Sequence, residues 1–162
     1  MSTTTYSADF AGLKVEFKNA CNRILIKAGN EIALMIKENF LNEGFFGQHW
    51  QEVKRRQPRT IIVKTKSGRK KKTIPCAKGA AGKRRILTGD TGNLRRSIRY
   101  KVTDNKLIIY SDVVYAKIHN EGGMAGRGLK TKIPKRQFIG PHPQLDKKIK
   151  SIIENELKKI KL

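Results

Sequence analysis

Three histidines, two cysteines and thirteen acidic residues are the side chains of this 162-residue chain best suited to bind a metal or move a proton. Their spacing decides what is open to them. His49, His119 and His142 are scattered, with no second His or Cys close by in sequence. Zinc needs three or four Cys, His or carboxylate ligands, two of them usually in a close pair, and no such pair occurs. Cys21 and Cys76 stand 55 positions apart and form no CxxC motif, so neither a metal knuckle nor a redox pair is indicated. GAAGKR (residues 79–84) falls short of a phosphate loop, which needs Gly six positions before the Lys and Ser or Thr after it; those positions hold Ala77 and Arg84. No serine sits in a GxSxG elbow. His119 has the chemistry of a general base, but no nucleophile or second base is near it in sequence. It reads as a hydrogen-bonded structural histidine at a helix end. Most carboxylates fall on two long helical segments, where Lys residues lie at helical spacing. The expectation is no catalytic residue, no cofactor, no metal, and a protein that is not an enzyme.

The elements that would position these groups are legible from periodicity. Residues 1–8 are Ser/Thr-rich and read as a frayed end. Asp9 is a candidate N-cap. Phe10, Leu13, Phe17, Cys21, Ile24, Ala28, Ile32, Met35 and Asn39/Phe40 then recur every three to four positions, predicting one helix over about 9–42 that ends near Gly44. Its interior Gly29 costs about 1 kcal/mol relative to Ala. Phe45, Phe46 and Trp50 should anchor the following loop onto a core. RTIIVKT (residues 59–65) and residues 71–75 read as a hairpin about a Ser67-Gly68 turn. Residues 66–85 read as a basic flexible loop.

A turn at residues 88–92 hands over to a short helix at 93–97, capped by Asp90 or Thr91. Strands at 98–103 and 106–111 flank an Asp104-Asn105 turn. Asp112 should cap a helix running to Asn120, with Val114, Tyr115 and Ile118 facing the core and Gly122-Gly123 ending it. Residues 124–131 read as a Gly-rich basic loop, and 132–139 as an edge strand, since Pro134 suits an edge. Pro143 opens a closing helix over 143–162, with a stripe of Leu145, Ile149, Ile152, Ile153, Leu157 and Ile160. The fold class that results is α+β: long N-terminal and C-terminal helices packed on a mainly antiparallel four- to five-stranded sheet, with a basic hairpin or loop excursion, in a single domain over 1–162.

Charge is concentrated. The net formal charge is +23, and residues 54–101 hold eighteen Lys/Arg against one acid, Asp90. Such a block repels itself unless an anion lies beside it. The segment has no aromatic between Trp50 and Tyr100, so base stacking is not available to it. Nucleic-acid contact there would be to the backbone and unspecific; an acidic protein surface and an anionic membrane face are the other candidate partners, and plain solvation of a loop is the remaining reading. The N-terminus has no basic region followed by an apolar one, and no stretch reaches the roughly 20 apolar residues of a membrane span. The expectation is a soluble product of the cytoplasm with no membrane partner.

Four segments carry a resemblance: FFGQHW (residues 45–50), ILTGDTGNLRRSI (86–98), YAKIHNEGG (115–123) and IPKRQFIG (133–140). In this order they resemble the virion morphogenesis or tail-completion (head–tail joining) family of tailed bacteriophages, over about residues 40–140. The matching positions are Trp50; Thr91, Gly92, Leu94 and Ser97; Tyr115, Ala116, His119, Gly122 and Gly123; and Pro134, Arg136, Phe138 and Gly140. The resemblance implies a structural protein of phage or prophage origin, found in the virion and assembled in the host cytoplasm. It implies a ring homo-oligomer at the tail end or neck, in contact with tail tube, terminator or neck proteins. Arg136 beside Phe138 on an edge strand would suit pairing with a neighbouring subunit. The basic excursion is larger than the family pattern requires. Lys66, Arg69, Lys70, Lys71, Lys72, Lys83, Arg84 and Arg85 are its candidate contacts to DNA in a lumen or to an acidic partner. The alternative reading is a sequence-unspecific basic nucleic-acid-binding protein.

Overall fold

The computed structural model describes residues 10–160 except residue 77. Asp9, the 1–8 segment, Lys161 and the side chains of Phe10 and Leu13 lie outside the described residues. The chain forms two compact units: one of residues up to Leu34, Arg99–Tyr110 and those from Pro141 on, the other of Met35–Ile98 and Ser111–Gly140.

Helix α1 runs over Phe10–Leu41, as its periodicity predicts. In the first unit its buried face is made of Ala20, Ala28 and Ala33 with the larger Ile32, whereas Phe17 is 55% exposed. Gly29 belongs to that face. A Cβ there would lie 2.3 Å from the Tyr100 ring, so the absent side chain is what lets the ring pack on the helix. Strands β5 (Ile98–Thr103) and β6 (Lys106–Ser111) form a hairpin. Its turn residues Asp104 and Asn105 both have positive φ, 50° and 57°, the backbone that two-residue hairpin turns favour. Helix α5 spans Pro143–Leu157, and the His142 ring accepts a hydrogen bond from Gln144 N at 3.3 Å as its N-cap. Leu145 and Ile152 are buried as expected, but Leu157 is exposed.

The second unit is built on the last turns of α1, where Ile36, Asn39 and Phe40 are buried. Strands β1 (Gly44–Phe45) and β2 (Gln48–His49) make a tight hairpin. It returns Phe45 and Trp50 to the core. Phe40 packs edge-on against Trp50 at 5.4 Å and tilted against Phe138 at 5.2 Å. Strands β3 (Arg59–Thr65) and β4 (Gly68–Ile74) pair antiparallel in full register. Short helices follow at α2 (Gly79–Lys83), α3 (Asn93–Arg96) and α4 (Ala116–Glu121), then the pair β7 (Gly123–Ala125) and β8 (Thr131–Ile133).

The α+β class and both long helices stand, but the strands do not merge into one four- to five-stranded sheet. Among the described residues they form four separate two-stranded pairs. Two- and three-residue strands offer too short an edge for a third strand, and the long β3–β4 pair carries like charges that discourage further pairing. Other boundaries also shift. The β3–β4 turn is Lys66-Ser67, and the expected 66–85 loop contains β4 and α2. Residues 124–131 hold most of a hairpin rather than a loop. The expected edge strand 132–139 stops at Ile133, because Pro134 has no N–H to continue the ladder. Helix α4 starts at Ala116 with Tyr115, not Asp112, at the N-cap position. Val114, expected to face the core, is 98% exposed.

Candidate functional site

The segments that carry the sequence motifs converge in the second unit. Residues 136–139 hang from the end of α4. The His119 carbonyl accepts from Arg136 N at 2.8 Å. The Asn120 side-chain carbonyl accepts from both Phe138 N and Ile139 N at 2.9 Å. Trp50 ties the early aromatic segment to the same strip, donating from Nε1 to the Gln137 carbonyl at 2.7 Å. Arg136 closes the loop by donating from Nε and Nη2 to the Gln51 carbonyl at 3.1 and 2.9 Å. It is only 7% exposed, so the expected role of Arg136 as an exposed edge-strand contact is replaced by an internal one. Gly122 makes the approach possible. Its φ is 79°, and a Cβ there would lie 2.9 Å from Lys135 N, a position only glycine fills without strain.

The segment 86–98 is fastened by Glu43. Its carboxylate accepts from Ile86 N at 2.7 Å and takes both terminal nitrogens of Arg56 at 2.7 Å each. The Arg56 guanidinium holds the Glu43 carboxyl below its usual range, against an opposing push from burial. Leu94 and Ile98 are buried. Ser97 donates to the Leu94 carbonyl at 2.8 Å and shares a 2.7 Å hydrogen bond with Ser111. Gly92, in the left-handed conformation, occupies the N-cap position of α3. Thr91 Oγ1 accepts from Asn93 N at 3.3 Å. Asp90, the other expected cap, pairs with Arg84 instead.

Between these segments lies an open cleft of about 420 Å³, whose lining includes Thr91, Asn93, Leu94, Tyr115, His119 and Arg136. Asn93 donates to the Tyr115 hydroxyl at 3.3 Å, and the Tyr115 and His119 rings meet edge-to-face at 5.8 Å. His119 Nδ1 is buried without a hydrogen-bond partner, so the expected hydrogen-bonded structural histidine lacks that bond. Burial, and then the Arg136 charge, lower its pKa; a neutral ring tolerates the missing bond better than a cation would. The lining residues include no carboxylate and no cysteine. Among the described residues no group of three His, Cys, Asp or Glu is placed to hold a metal ion. Cys21 and Cys76 are free thiols. The arrangement offers shape and hydrogen-bonding groups.

The other motif residues sit in the frame around the cleft. Trp50, Ala116 and Phe138 are buried, and Gly123 starts β7. Pro134 ends the β8 ladder, and Gly140 closes the strip where a Cβ would meet the Gln137 side chain. Of the basic candidates, Lys66, Arg69, Lys70, Lys71, Lys72, Lys83 and Arg85 are exposed, whereas Arg84 is half-buried and paired with Asp90. Glu43, Arg55, Arg56 and Asn120 were not singled out from sequence. Glu43 and Arg56 stand 13 positions apart, a spacing that carries no local signal. Asn120 lies inside a motif, but its double acceptance is visible only once the strip folds back.

No helix among the described residues is long and apolar enough to cross a membrane. A model of the phage virion morphogenesis family matches residues 47–158 of the chain. Over 55 residues the chain is 46% identical to Mu-like prophage FluMu G protein 2 of Haemophilus influenzae, covering 34% of this chain and 40% of that relative. The chain thus spans about two fifths of the curated relative it matches. No solved structure matches.

Proposed function

The chain belongs to the phage virion morphogenesis family, and from that premise we propose that it is a structural subunit that completes the tail or joins tail to head. It acts as one member of a ring at the tail end or neck, beside tail tube, terminator or neck proteins. The ring is assembled in the host cytoplasm and carried in the virion. The observation that supports this most is how the motif residues are used. Trp50 and Asn120 bond to the strip at 137–139, Arg136 bonds to the Gln51 carbonyl, Ser97 to Ser111, and the Phe138 ring packs on Phe40. A frame of this kind holds a surface in a fixed shape, as a subunit in a closed ring requires. The surface it holds includes Val114, fully exposed on the approach to α4, and the exposed side chains of Met124 and Leu129.

Two experiments test the reading. Disrupting the gene in the phage or prophage should yield lysates with separate filled heads and unjoined or over-long tails by electron microscopy; normal virions would overturn it. Val114→Asp should leave the folded protein's stability within about 0.5 kcal/mol, since the side chain is solvated, yet fail to restore infectious particles. Full restoration would remove Val114 from the subunit contact.

A further inference from the structure

The β3–β4 pair is a basic ribbon with cations on both faces, and we infer that it inserts into the major groove of duplex DNA, between two walls of phosphate. Seven Lys/Arg and no acid lie in residues 59–74. The register sorts them by face, because directly opposed residues point the same way. Pairs Lys64↔Arg69 and Ile62↔Lys71 share one face; Val63↔Lys70, Ile61↔Lys72 and Arg59↔Ile74 share the other. Each face thus carries three cations, and Lys66 lies in the turn. Every β4 residue before Ile74 is exposed. Among the described residues no carboxylate forms an ion pair with any of the seven, whereas Arg56 and Arg84 in the same basic block are paired with Glu43 and Asp90.

Distribution over two faces separates the anionic partners. A membrane surface or a flat acidic protein patch is met by one face and leaves the other three cations in water. A groove has two charged walls. The major groove is about 12 Å wide and admits a two-stranded ribbon. Seven residues per strand at roughly 3.4 Å each give a ribbon of about 24 Å, enough to run along the groove. Lysines two apart on a strand, such as Lys70 and Lys72, stand about 7 Å apart on one wall. The ribbon carries no aromatic side chain and no Asn or Gln, so it lacks both the stacking platform of single-strand binders and the amide reader of adenine. Contact is therefore mainly to phosphate and double-strand-preferring, with guanine edges the one base feature that its Lys and Arg side chains can read. This holds whichever joint the subunit occupies.

The test is fluorescence anisotropy of the full chain with a labelled duplex of about 24 base pairs, titrated over 50–200 mM NaCl, against the single strand of equal length. The duplex should bind more tightly, with log K falling linearly against log salt at about −0.9 per phosphate neutralised. The triple variant Lys70→Ala, Lys71→Ala, Lys72→Ala should reduce that slope by about 3. The variant Lys101→Ala, Lys147→Ala, Lys150→Ala removes the same charge elsewhere and should leave the slope unchanged. Circular dichroism checks that both variants fold. Equal loss from the two variants would reduce the effect to net charge and overturn the inference. So would tighter binding of the single strand, or no duplex binding at 50 mM salt.

Discussion

Arg55 and Arg56 precede β3 by only four and three positions, yet they and the ribbon lysines live in opposite surroundings. Arg56 grips Glu43 and donates to the carbonyls of Gly82 and Arg84 at 3.2 and 2.8 Å; Arg55 reaches the carbonyls of Arg84 and Arg85 at 2.5 and 3.1 Å. Their charge is consumed inside the molecule, fastening residues 82–86 to the end of α1. Lys64, Lys70, Lys71 and Lys72 stand in solvent with no such acceptor. One uninterrupted basic block therefore contains both the mortar of a frame and a surface with its charge unspent. The ribbon's cations keep their donors for a partner, whereas those of Arg55 and Arg56 are already taken by carbonyls and a carboxylate.

That contrast can be broken at several points. The largest effect belongs to the frame core. Phe138→Ala empties the space between Phe40 and the motif strip and should cost about 3–5 kcal/mol in urea denaturation. Ile62→Ala on the ribbon, a residue 65% exposed, should cost under about 0.5 kcal/mol; equal costs would mean that the ribbon is part of the frame. Next comes charge. Arg56→Met leaves the part-buried Glu43 carboxylate with Ile86 N alone and takes one donor from each of the Gly82 and Arg84 carbonyls; it should cost about 2 kcal/mol, whereas Lys71→Met should change stability by less than about 0.5 kcal/mol.

In the first unit the crowding of Tyr100 by a new Cβ makes Gly29→Ala destabilising by about 1–2 kcal/mol, despite alanine's better helix propensity. A stabilising Gly29→Ala would show that the ring moves aside freely.

The most subtle probe is acid. Glu156 is 2% exposed and accepts from Lys159 at 2.7 Å, Lys27 at 2.5 Å and Arg23 at 3.1 Å. These donors hold its pKa down to about 2, from an ordinary 4.5. Unfolded, the carboxyl takes up its proton first. The stability it contributes is therefore complete above about pH 4.5 and is lost as pH falls toward about 2. Glu156→Gln should flatten that part of the stability–pH curve, read by thermal melts at steps between those limits. An unchanged curve would place the acid sensitivity elsewhere.

Local chemistry explains what could be read early. Helix α1, helix α5, the Asp104-Asn105 hairpin and the β3 strand follow from periodicity and turn residues, which act over a few positions. The four motif segments were visible as patterns of glycine, proline and aromatics. What they do together was not. Residues 132–139 look like a strand by composition, but Pro134 ends the ladder and Asn120, far back in the chain, takes the N–H groups a strand partner would have taken. Glu156 reads as one more surface acid on a Lys-rich helix. Only the fold brings Arg23 and Lys27 to it, across more than a hundred residues of sequence.

The sequence by itself determined the two long helices, the Asp104-Asn105 turn, the family motifs and where the charge accumulates, because each depends on neighbours within a turn or two. Tertiary structure alone decided which cations are consumed and which are free, and which motif residues are core and which line the cleft. Those outcomes depend on distances between groups that the chain separates by tens of residues, and a charge has no fixed worth until its partners are in place.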